Sequence, residues 1–196
     1  MAQNNLKKQT KRGIYWTFLN QFSNYGMQFV IGIVMARLLS PQDYGITALP
    51  AVFIALATVF VDSGFGNALI RKPQLTEEDL STAFYYSLIV GVVCYVILFA
   101  LSPWIAAFYN TPILKDLLRV TAITFLWSPL GTPQRIILNR NLNFKTPTKI
   151  NIVTRLGAGV LGIVFAYCGY GVWALVISSL FSSISSVILN WWVVKW

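Results

Sequence analysis

The sequence predicts an all-α, polytopic membrane protein with six transmembrane helices, and three observations carry that reading. Of 196 residues, 56% are hydrophobic and 11% charged, where soluble domains carry roughly a quarter charged residues. The mean hydropathy is +0.63. The apolar residues gather into six runs separated by short polar turns, at about 13–39, 44–70, 82–101, 115–138, 150–168 and 172–194. Helices are required because they satisfy their own backbone groups in lipid, which an open sheet cannot do.

Residues 1–12 form a basic leader, MAQNNLKKQTKR, expected in the cytoplasm. The run that follows is longer than a signal-peptide core and lacks a small-residue cleavage site, so it reads as a retained first helix. Within it Thr17, Gln21, Asn24 and Gln28 share one face, with Asn20 beside them, while Phe18, Phe22, Phe29 and Ile33 lie opposite. Lipid offers no hydrogen bonds, so the amide stripe either joins neighbouring helices, at ~0.6–2 kcal/mol per bond, or lines a wet cavity. The stretch MARLLSPQDYG, Met35 to Gly45, closes this run and turns through Ser40-Pro41.

The second run carries Pro50 near its start, and Ala51, Ala55, Thr58 and Asp62 on one face. A carboxylate inside a span costs on the order of 2.5–3.5 kcal/mol, so Asp62 needs a partner or water. Thr76 and Asp79 have the spacing of an N-cap for the third helix. That third run is almost wholly apolar, and Ser102-Pro103 reads as the start of a separate interfacial segment with Trp104, Phe108 and Tyr109. Pro129, Gly131 and Pro133 predict a kink or break in the fourth run. In the fifth, Asn151, Arg155, Gly159, Gly162 and Ala166 share a face; in the sixth, Ser179, Ser182, Ser183, Ser186 and Asn190 do.

Charge excludes some functions and orients the rest. The net charge is +9, but basic residues confined to alternate loops mark membrane orientation and argue against nucleic acid as a partner. Eleven of the Lys and Arg residues fall on the side of both termini, including Arg71, Arg135, Arg140 and Lys145, against Arg37, Lys115 and Arg119 on the other. Both termini are therefore expected in the cytoplasm. Histidine is absent and the two cysteines, Cys94 and Cys168, lie in apolar runs; these facts argue against a His-based triad, a haem or a zinc site.

ARLLSPQDYG, the segment VDSGFGNALIRK from Val61 to Lys72, LTEEDLSTAF from Leu75 to Phe84 and GYGVWAL from Gly169 to Leu175 together resemble the Wzx-like polysaccharide flippases. These belong to the multidrug, oligosaccharidyl-lipid and polysaccharide exporter superfamily. The resemblance implies a cofactor-free translocase of the bacterial inner membrane, serving lipopolysaccharide or O-antigen synthesis. It would move an undecaprenyl-diphosphate-linked oligosaccharide between leaflets by alternating access of two six-helix lobes. Family members have twelve to fourteen helices, so this chain looks like the N-terminal lobe, with a second six-helix lobe and membrane lipids as its partners.

On that reading Gln21, Asn24 and Gln28, with Asp62 and Arg155, border a hydrated substrate cavity. Arg155 is the first candidate for phosphate contact, since its planar fork suits phosphate oxygens; Arg37 and Arg119 could receive the head on the outer side. Arg155 could instead only pair with Asp62, and Arg37 only snorkel to the interface. Two rivals stand beside this reading. A cation-coupled multidrug exporter of the same superfamily would use Asp62 for the ion, and a membrane-bound polysaccharide-assembly enzyme would need catalytic carboxylates, where Glu77, Glu78 and Asp79 read as cap residues. No catalytic residue and no metal ligand is expected.

Overall fold

The computed structural model describes residues 2–62, 69–70, 72 and 76–194; the side chains of residues 2–14 and of Asp62 lie outside that description. The far end of the second run, much of VDSGFGNALIRK, and the final Lys195 and Trp196 also lie outside it. Among the described residues every regular element is helical.

Helix α1, Ala2–Leu38, places Arg37 in its last turn, where a cation complements the helix dipole. The chain then reverses in two residues. Ser40 caps α2, Pro41–Asp62, in reciprocal fashion: the Asp43 N–H donates to Ser40 Oγ at 3.2 Å, and the Ser40 N–H donates to Asp43 Oδ2 at 2.9 Å. Pro41 occupies the first helical position, where its missing N–H costs nothing.

Helix α3, Glu77–Phe108, begins in the capping box that the sequence suggested: Asp79 N–H donates to Thr76 Oγ1, and Thr76 N–H to Asp79 Oδ2. Lys72 Nζ pairs with Asp79 Oδ2 at 2.7 Å, and Arg140 Nη1 donates to the Lys72 carbonyl at 2.7 Å. At about 1.5 Å per residue the 32-residue helix exceeds a hydrocarbon core of about 30 Å.

No separate interfacial segment starts at Ser102-Pro103; α3 runs straight through it. Pro103 lacks the N–H that would have bonded the Phe99 carbonyl. Ser102 Oγ donates to that carbonyl instead, at 2.8 Å, and Arg119 Nε donates to Ser102 Oγ at 2.9 Å. A Ser-Pro pair that resembles a helix start is here a repair inside a helix.

The fourth run is broken, as its prolines suggest. It comprises α4 (Ile113–Ala122), α5 (Thr124–Trp127), a 3-10 turn (Ser128–Gly131) and α6 (Thr132–Arg140). Pro129 frees the Phe125 carbonyl, which sits against Gly91 of α3 where any side chain would collide with it. Trp191 Nε1 donates to the Leu130 carbonyl at 2.8 Å and ties the far end of the chain to the break.

Helices α7, Lys145–Tyr167, and α8, Val172–Val193, form the last hairpin. Its turn needs two glycines, since Gly169 and Gly171 have φ of 83° and 52°, a region that side chains disfavour. The Tyr170 N–H reaches back to the Phe165 carbonyl and the Gly169 N–H to that of Ala166, closing α7 in a Schellman pattern.

Helix α7 is the centre of one layer, with α1 and α8 packed on it; α3 packs on α4, and α2 joins the layers by touching α3, α4 and α8. Among the described residues four helices are long and apolar enough to cross a membrane: α2 over Pro41–Val61, α3, α7 and α8. The other two expected spans differ from these for visible reasons. In α1 the amides dilute the apolar character, and the fourth run is divided by its prolines.

Gly159 lies under the Ile31 side chain, and Gly162 under Ser178 and Met35. Gly159→Leu should therefore prise α1 from α7 and destabilise the fold by about 1–3 kcal/mol. A fall in the thermal unfolding midpoint in detergent checks this, with Gly32→Leu, which meets open space, as the control.

Candidate functional site

Because α1 and α8 both rest on α7, they leave a trough between them with α7 as its floor. A cavity of about 680 Å3 fills it. From α1 it is lined by Met27, Gln28 and Ile31; from α7 by Asn151, Thr154, Arg155, Gly159 and Gly162; from α8 by Ser178, Ser179, Ser182, Ser183 and Ser186. Glycines and serines make the room, since their small side chains leave the helices close but the space between them unfilled.

One end is closed. Met35, Leu39, Ala166 and Ala174 form an apolar cluster there, with Tyr44 and Leu175 packed against it. Asp43 lies against Gly171, so the SPQDYG and GYG turns meet at this closed end. Toward Asn151 and Ser186 the cavity continues into a smaller pocket, which both residues also line.

The polar groups of the walls are hydroxyl, amide and guanidinium, set among apolar side chains such as Met27, Ile31 and Leu175. Among the described residues no carboxylate lines the cavity, and no cluster of His, Cys, Asp or Glu has the makings of a metal site. Arg155 is exposed, one turn from Asn151, and among the described residues it has no ion-pair partner. Such a surface can hydrate and hydrogen-bond a polar head and attract an anion.

The residues singled out from the sequence fall in different places. Gln28 and Arg155 both line the cavity. Asn24, one turn before Gln28 in α1, is half-buried and donates to Asn20 Oδ1 at 3.1 Å, while among the described residues its own Oδ1 has no partner. Gln21 and Arg37 are exposed and do not line the cavity. Arg119 is held between α3 and α4, bonded to Ser102 and stacked 4.1 Å above the Phe99 ring. The Asp62 side chain lies outside the described residues; Ala51, Ala55 and Thr58, its expected face, are exposed on α2. Tyr44 and Thr154 also line the cavity. Thr154 neighbours Arg155 in an amphipathic pattern and could have been read from it; Tyr44 reaches the site only through the reversal at Ser40.

A family profile described as "Polysaccharide biosynthesis protein" matches residues 34–196. The chain is 32% identical over 191 residues to the teichuronic acid biosynthesis protein TuaB of Bacillus subtilis (strain 168), covering 97% of this chain and 39% of that protein. It is 23% identical to the succinoglycan biosynthesis transport protein ExoT of Rhizobium meliloti (strain 1021), over 86% of this chain and 34% of that one. To the lipopolysaccharide biosynthesis protein WzxC of Escherichia coli (strain K12) it is 27% identical, over 71% and 28% respectively. The chain thus spans well under half the length of these relatives. No solved structure matches it.

The two arginines should separate in a stability measurement. Arg119→Ala removes a charge-assisted bond and a ring contact, and should cost about 1.5–3 kcal/mol; Arg155→Ala should leave the unfolding midpoint in detergent nearly unchanged, because its side chain is exposed.

Proposed function

Because the chain belongs to the polysaccharide biosynthesis protein family, we propose that it is one lobe of a lipid-linked oligosaccharide flippase, with the trough between α1 and α8 as the path of the substrate head. The substrate is an undecaprenyl-diphosphate-linked repeat. Its head carries sugars and negative charge, whereas its tail is hydrocarbon. The protein need only supply water, hydrogen bonds and a cation to the head while the tail stays in lipid.

The observation that carries this reading is a polar trough, with Arg155 in its wall, on helices that otherwise present apolar faces to their surroundings. A lobe of this kind works against a second lobe, and the names of relatives in polysaccharide biosynthesis and transport support the assignment. In the proposed arrangement α1 and the broken α4–α6 segment complete six spans, and both termini face the cytoplasm of a bacterial inner membrane. The closed end at Tyr44 then faces outward and the open end inward, as in an inward-facing state of alternating access. A cation-coupled drug exporter would want a carboxylate in this trough, and among the described residues none that lines it carries one.

In a strain lacking its own flippase, the protein expressed from its full reading frame should restore polysaccharide export. Arg155→Ala should lower that export by about tenfold or more, in keeping with the loss of a charge-assisted phosphate contact, at unchanged membrane abundance. Export at the unsubstituted level would discard the phosphate role of Arg155.

A further inference from the structure

The trough does not end at Asn151. Asn151, Ser183 and Ser186 border both the main cavity and a second pocket of about 270 Å3, which reaches beneath the broken fourth segment. Its far wall is Gly131, Arg135 and Asn139, and Asn190 of α8 closes the side. This space holds several water molecules at about 30 Å3 each, and so has room for a small anion.

The proline break builds that wall. Pro133 in the first turn of α6 starts a new helix, on which Arg135 and Asn139 share a face. The Trp191 bond to the Leu130 carbonyl fixes the adjoining turn against α8. Arg135 is exposed. Two guanidinium groups therefore border one continuous polar space, Arg155 in the main cavity and Arg135 in the pocket, with Asn151, Ser183 and Ser186 at the junction.

We propose that the second pocket is an anion subsite that takes one phosphate of a diphosphate-bearing lipid head, with Arg135 as its main grip. This rests on the reading of the main cavity as the path of the head. A guanidinium fork matches phosphate oxygens in two bonds, and the amides of Asn139 and Asn151 add neutral donors. A monophosphate is held by Arg155 alone; a diphosphate engages both arginines, and the pocket selects for the second phosphate.

The test uses the full chain in lipid nanodiscs, titrated with geranylgeranyl diphosphate and geranylgeranyl monophosphate and read by tryptophan fluorescence, with inorganic diphosphate as competitor. The unsubstituted chain should bind the diphosphate about tenfold more tightly than the monophosphate, the worth of one further charge-assisted contact. Arg135→Ala should abolish that preference and leave monophosphate binding within about twofold, whereas Arg155→Ala should weaken both ligands. Ser183→Leu, which fills the junction and leaves Arg135 in place, should also abolish the preference, so the result does not hang on one variant. Excess inorganic diphosphate should displace the lipid. A preference that survives both Arg135→Ala and Ser183→Leu overturns the subsite while leaving the main cavity standing. Failure of inorganic diphosphate to compete assigns the binding to the tail and also overturns it. Arg155→Ala binding both ligands as the unsubstituted chain does, or no saturable binding at all, overturns the underlying reading as well.

Discussion

A polar group inside a membrane must face protein or water, and the layer of α1, α7 and α8 follows from that constraint. Helix α7 offers a face of Asn151, Arg155, Gly159 and Gly162, and α8 one of serines. Were the two faces pressed together throughout, Arg155 would be buried without a counter-charge, at a cost of several kcal/mol. The glycines instead seat Ile31 and Met35 of α1 tightly at one end. Farther along the same face Arg155 is exposed in the wall of the cavity. Close packing and a polar trough are thus two results of one face.

The same accounting governs the backbone. A proline inside a helix leaves a carbonyl without its N–H, and at Pro103 and Pro129 something answers that carbonyl or makes room for it. The Phe99 carbonyl receives Ser102 Oγ, and that hydroxyl in turn receives Arg119. The Phe125 carbonyl rests against Gly91, and the 3-10 turn after it receives the Trp191 indole. These answers lock the second layer and the fourth segment in place. They also set Arg135 in the wall of the pocket next to the trough.

The periodic features were legible from the residues alone. The α7 face and the α8 serine stripe follow from three- and four-residue spacing, and both line the cavity; the Thr76–Asp79 cap follows from its local pattern. What the sequence concealed depends on contacts between distant residues. Arg119 looked like a candidate for substrate because nothing local shows that it lies beside Ser102, seventeen residues away on another helix. Ser102-Pro103 looked like a helix start because that pair has the same local signature whether it opens a helix or repairs one. Gln134, buried with both amide atoms unpartnered among the described residues, had no signal at all, since its burial arises from the way the broken segment packs on α3.

The central claim is that the trough holds water while the outer faces of the same helices meet lipid. It is tested most directly by spin labels at Ser182, in the trough, and at Val160, on the exposed apolar face of α7, in bilayer nanodiscs. The account predicts that the label at Ser182 is relaxed mainly by a water-soluble nickel chelate and the label at Val160 mainly by oxygen dissolved in lipid. If the Ser182 label is shielded from the chelate and relaxed by oxygen as strongly as the Val160 label, the trough is dry and the account is contradicted.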